Sequence, residues 1–190
     1  MSIAEIFDFM NESNLTIVGY KFQDERIKDE FISKLPHIEI FEFDSSFSVI
    51  SSLKQKVREN KIDSILEGCS VSNAKFVVVD IANLKRHKDL SDIVFSKSVS
   101  MFLESLRADI YHTGYRLIVL SPINTSIAGG TSATSFMGGS RTLYMADLAY
   151  AIEGKKINIV KNRFDRDQVS VSLENLKDYK YICSYENNKQ

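Results

Sequence analysis

Residues 76–81 read Phe-Val-Val-Val-Asp-Ile, with five apolar side chains in six and three of them valine. A strand with one wet face alternates apolar and polar residues. A strand with no polar position before its end must be covered on both faces. This run therefore calls for a sheet with helices above and below it. The flanking segments agree. Leu15–Tyr20 (LTIVGY) is a short β-rich run, and Ile38–Phe43 (IEIFEF) and Arg116–Leu120 (RLIVL) are two more. Between them, Asp24–Leu35 carries Ile27, Phe31 and Ile32 on one helical face and stops at Pro36. Val49, Ile50, Leu53 and Val57 recur at helical spacing within Ser48–Asn60. Asp92–Tyr111 repeats Phe95, Val99, Phe102, Leu103, Leu106 and Ile110, a long helix with Gly114 just past its end. Strand and helix in alternation imply parallel crossovers and an α/β fold with a mainly parallel central sheet.

Ser2–Met10 places Ile3, Ile6, Phe7 and Met10 at helical spacing, so residues 1–14 read as an N-terminal helical arm. Leu148–Glu153 and Lys156–Val160 flank Gly154-Lys155 and read as an antiparallel edge hairpin. Val169–Leu173 and Tyr179–Ser184 are read as final edge strands, within residues 168–190. Ser121–Ser140 holds four of the eight glycines and reads as a long polar loop, a length that usually means function. No linker divides the chain, so residues 1–190 are read as one domain.

Composition excludes several classes. With 24 Lys+Arg against 25 Asp+Glu the chain lacks the bulk basic charge of a protein that coats nucleic acid, although a local patch remains open. Cys69 and Cys183 cannot build a disulfide framework, lack zinc-site spacing and fit a reducing cytoplasm. No apolar run is long enough to span a bilayer, and the N-terminus has no signal-peptide layout, so no membrane partner is expected.

Ligands of such sheets gather at the carboxyl ends of the strands. Asp80 ends the strongest strand, where a phosphate-loop ATPase keeps the carboxylate that helps to hold magnesium; an Asp there equally well caps a following helix. A phosphate loop after the first strand would read G-x-x-x-x-G-K-[ST]. Here Gly19 is followed at that spacing by Asp24-Glu25-Arg26. Two carboxylates repel phosphates, and an Asp in place of Gly loses access to positive φ. Asp24 can instead be a plain helix cap. The cluster Lys85-Arg86-His87-Lys88 faces either an anionic partner or only solvent.

One longer stretch is more specific. Phe136–Asp167 (FMGGSRTLYMADLAYAIEGKKINIVKNRFDRD) contains Gly139-Ser140, Leu143, Ala146-Asp147, Glu153 and Lys161-Asn162-Arg163-Phe164, in that order. Upstream stand VLSPINTS (Val119–Ser126) and the Asp80 strand. Together they resemble the core domain of RecA/DnaB-type ring ATPases, most of all phage-type replicative helicases, over roughly residues 15–167. The resemblance implies a RecA-like three-layer fold and a role in DNA replication or recombination, in the host cytoplasm if the chain is phage-encoded. It assigns a degenerate nucleotide site to Gly19, Asp24, Glu25 and Arg26, and magnesium to Asp80. The water-activating carboxylate falls on Asp44 or Glu42. A DNA-facing loop falls on Gly129, Gly130, Phe136, Gly138, Gly139 and Arg141, with Phe136 stacking on a base. Arg163 becomes an arginine finger reaching a neighbouring subunit.

The departures are informative. The phosphate-loop Lys and Ser/Thr are missing, and the strand-end Gln that senses the γ-phosphate falls on Pro122, which has no side-chain donor. Loss of the groups that act in cis with retention of the one that acts in trans implies a non-hydrolysing member. Its expected partners are copies of itself or an active ring ATPase. Two alternatives stay open: a divergent ATPase using Mg-ATP through an unorthodox loop, and a single-stranded DNA-binding module using Ser126–Arg141.

Overall fold

A computed structural model of the protein describes residues 1–43, 55–72, 75–84, 86, 88–128, 131–164 and 170–180. The elements in order are α1 (Ile3–Glu12), β1 (Leu15–Tyr20), a 3-10 turn (Phe22–Asp24), α2 (Glu25–Ile32), β2 (Ile38–Glu42), α3 (Gln55–Ser72) and β3 (Phe76–Asp80). There follow α4 (Asp92–Tyr111), β4 (Arg116–Ala128), β5 (Thr131–Phe136), α5 (Gly139–Met145), β6 (Leu148–Glu153), β7 (Lys156–Asn162) and β8 (Ser170–Ser172). The sheet order is β2-β3-β4-β1-β6-β7-β8, with β5 paired only to the outer half of β4. The first five strands of that order are mutually parallel, and β7 and β8 are antiparallel. The class is thus α/β, a mostly parallel sheet with an antiparallel edge. Among the described residues no helix is long and apolar enough to cross a membrane.

Crossover handedness decides which helix covers which face. The chain steps from β1 out to β2 in one direction, then back through β3 and β4 and past β1 to β6 in the other. Right-handed crossovers put connections of opposite direction on opposite faces. Accordingly α2, joined by α1, buries Ile6, Phe7, Met10, Phe31 and Ile32 against Val18, Val78 and Ile118. On the other face α3 and α4 bury Ile65, Cys69, Val99, Phe102 and Leu106 against Ile17, Val77 and Val119. Successive residues of each strand point to alternate faces, which is why β3 needs a valine at each of its three central positions. Helix α1 starts cleanly because Ser2 and Glu5 form a reciprocal capping box, satisfying two backbone N–H groups.

Three expectations change. Residues 121–140 are not a loop: β4 continues to Ala128 and returns as β5, with Ile123 opposite Phe136 and Asn124 opposite Ser135. Thr and Ile suit an extended backbone, and their polar company made the stretch look irregular. Helix α2 ends at Ile32, and Ser33–Leu35 finish it as turns. Tyr179 belongs to no strand; it follows a turn and lies 5.8 Å from the Phe7 ring, closing one edge of the core. Of the segment read as helical over residues 48–60, the part before Gln55 lies outside the described residues, as do Val169 and residues 181–184.

Candidate functional site

Asp80 closes β3 at the carboxyl edge of the sheet, beside the end of β1 across one intervening strand. It is 8% exposed, and its carboxylate is fully engaged. Lys28 Nζ lies 3.2 Å from Oδ2, the Ala82 N–H donates to Oδ1 at 2.9 Å, and the Tyr20 hydroxyl sits 3.4 Å from both oxygens. Lys28 comes from α2, is 4% exposed, also pairs with Asp29 at 2.9 Å and lies 4.6 Å over the Tyr20 ring. Burial alone would lower its pKa, but the hydrogen bond that Lys28 donates to Asp29 and the charge of Asp80 outweigh burial and raise it. Burial, and then the Asp80 charge, push the Tyr20 phenol far above its usual value. The result is a closed ion pair with a neutral phenol against it. A divalent cation on Oδ2 would meet the Lys28 ammonium, so the carboxylate as arranged does not fit magnesium. Among the described residues no three His, Cys, Asp or Glu side chains gather as metal ligands.

The place for a phosphate loop is equally filled. Only Lys21 separates β1 from the 3-10 turn, and Lys21 pairs with Glu153 at 3.1 Å. Glu25 and Arg26 are exposed on the first turn of α2. Asp24 stands at the N-cap position without capping: its side chain makes no cap bond, it is 4% exposed, and its Oδ2 is buried without a partner. Gly19 is required for packing rather than for phosphate. A Cβ there would lie 2.4 Å from Ile123 Cγ2 and 2.6 Å from Phe136 Cε1. This corrects the expectation for Phe136. The ring is 5% exposed and serves as a core residue seated on Gly19, not as a stacking surface.

Glu42 is exposed at the end of β2, in register with Asp80 on the neighbouring strand. Asp44, Gly129 and Gly130 lie outside the described residues, as do Lys85 and His87 of the basic cluster. Pro122 follows Ser121, whose hydroxyl anchors the base of the β4–β5 hairpin by accepting the Met137 N–H at 3.0 Å. Gly138 and Gly139 take positive φ, 90° and 70°, which lets the chain turn from β5 into α5. Gly138 also gives room to Thr142, whose Oγ1 would be 2.2 Å from a Cβ.

Arg163 lies on the other side of β6. Its Nη1 donates to Asp147 Oδ1 at 2.9 Å, yet 69% of its side chain is exposed. Asp147 is 3% exposed and also accepts the N–H groups of Asn14 at 3.0 Å and Leu15 at 3.4 Å. Lys161 donates to the carbonyls of Leu143 and Tyr144 at 3.1 and 2.8 Å, at the negative end of α5. Arg141 pairs with Glu104 at 2.6 Å. Glu104, Arg107, Arg141, Asp147, Lys161 and Arg163 line a groove of about 660 Å³ beside α4, α5 and the end of β7.

The structure thus separates the residues singled out from the sequence into two places, the closed Asp80 pair and the open Arg163 groove. Sequence reading missed Lys28, Tyr20 and Arg107, and it noted Asp147 only as part of a motif, with no role. Lys28 did leave a signal: it stands three, four and seven residues before Phe31, Ile32 and Leu35, on the apolar stripe of its helix. Compared with known proteins, the chain matches no family model and no curated protein.

Proposed function

We propose that the chain is a RecA-like domain without nucleotide chemistry of its own. It acts in DNA replication or recombination by assembling with copies of itself or with a RecA/DnaB-like ring ATPase. One observation carries this reading: the strand-end carboxylate is already neutralised, with Lys28 at 3.2 Å, at the place where an ATPase of this kind would hold magnesium. The position of β4 between β1 and β3 supports it. In a RecA-like ATPase the strand of the γ-phosphate sensor would lie between the strands of the phosphate loop and of the magnesium site, and this order is compatible with that arrangement. The exposure of Arg163 supports the trans half of the reading, since a finger must leave its own subunit.

The test is a titration of the full chain with a fluorescent ATP analogue and Mg²⁺. The expected result is no saturable binding up to millimolar nucleotide. Saturation in the micromolar range would overturn the reading in favour of a divergent ATPase using Asp80 with Asp44 or Glu42.

A further inference from the structure

The groove beside α4, α5 and the end of β7 has more cation than its own folding uses. Among the described residues, Arg107, Arg141, Lys161 and Arg163 share the groove's lining with two carboxylates, Glu104 and Asp147, in a chain whose net charge is -1. Arg141 is consumed by Glu104 and one arm of Arg163 by Asp147. Arg107 makes no ion pair among the described residues, and Lys161 spends two of its three protons on carbonyls. Burial lowers the Lys161 pKa; the charge of Asp147 opposes this, and the charges of Arg163 and Arg107 add to it. Tyr144 stands at the rim, 85% exposed, with Lys161 Nζ 5.7 Å over its ring.

Shape separates a strand from a single anion. An adjoining hollow of about 380 Å³ is lined by Glu104, Arg107, Ala108, Tyr111 and His112, so the surface continues along α4 from residue 104 to 111. Seven helical steps cover about 10 Å, longer than one phosphate group. Tyr111, 58% exposed, lines the far end. Cations with open aromatic rings at both ends of a trough are what a sequence-tolerant single-strand site needs. By contrast, residues 121–140 contain no Lys or Arg.

We propose that this groove binds single-stranded nucleic acid, its phosphates on Arg107 and Lys161 and a base stacked on Tyr144. The inference stands apart from the assembly reading and needs no nucleotide or ring partner.

The experiment is fluorescence anisotropy of an end-labelled oligo-dT of about 20 nucleotides with the full chain, as a function of salt. Arg107→Gln should weaken binding several-fold and reduce the slope of log K against log salt by about 0.7, one phosphate contact on a single strand. Tyr144→Ala should weaken binding about tenfold with the slope unchanged, because stacking releases no counterion. Neither side chain makes an ion pair among the described residues, so unchanged melting curves would show that each variant is folded. Three results would overturn the proposal. One is no binding at low salt. Another is wild-type affinity in both variants. The third is displacement of the strand by inorganic tripolyphosphate or poly-glutamate at equal charge, which would mark a site for a compact anion or an acidic peptide.

Discussion

Lys28 shows how one residue can change what a sheet edge does. A lysine on the apolar stripe of a helix is costly unless its charge meets a partner, and here the partner is a strand-end aspartate that is just as buried. The attraction and the desolvation of such a pair nearly cancel, but removing one member strands the other. Lys28→Ala should therefore destabilise the protein by about 3–5 kcal/mol, read as a lower urea midpoint. Adding Asp80→Asn should recover much of that loss, because the amide buries no charge. A Lys28→Ala protein as stable as the wild type would mean that the pair is loose and that Asp80 is open to other cations.

At the scale of elements, Asp147 fastens β6 to its neighbours. It takes two N–H groups at the start of β1, and its own carbonyl accepts the Arg163 N–H as β7 ends. Its bond to the Arg163 side chain is the exposed part of this arrangement. Exposed pairs contribute roughly 0–1 kcal/mol, and hydrogen bonds to a buried charge about 1.5–3 kcal/mol each. Unfolding midpoints should therefore separate the two partners: Asp147→Ala costly, Arg163→Ala nearly neutral. A large loss in Arg163→Ala would tie that arginine to the fold and remove it from any role in trans. The elements themselves were unequally legible. β1, β6 and α4 fall where apolar pattern and caps place them, since burial on one or two faces leaves a period in the sequence. The β4–β5 hairpin did not, because its Ser- and Thr-rich strands lack an apolar face to betray them, although Gly129-Gly130 is a turn signal between them. The site was legible only as a strand-end Asp. Its partners come from a helix and a strand whose meeting is a tertiary fact, and a buried Phe136 looks the same in sequence as one that stacks on a base.

For the whole molecule, the buried titratable groups point to alkaline sensitivity. Burial, with the Glu39 charge adding to it, pushes the Cys69 thiol from its ordinary 9.0 up to about 11. Burial also raises the phenols of Tyr20 and Tyr150 above 10.0, and Lys28 lies above its ordinary 10.5. Each group holds its proton more tightly folded than unfolded, so its contribution is complete below the unfolded value and is lost as pH rises towards the folded one. Urea midpoints should be insensitive to these groups near neutrality and fall from about pH 9 upward. Cys69→Ala should remove the earliest part of that fall, and an unchanged profile in that variant would take the thiol out of the account.

The central position of β1 has a consequence for synthesis. Its residues 15–20 pair with 117–122 on one side, and residues 16–20 pair with 148–152 on the other. Translation at roughly 5–20 residues per second leaves this apolar segment without either neighbour for on the order of ten seconds. During that interval two rows of unsatisfied backbone groups stand open to the nascent chain's surroundings. The middle of the sheet is written first, yet it gains its second neighbour only after about three quarters of the chain has been made.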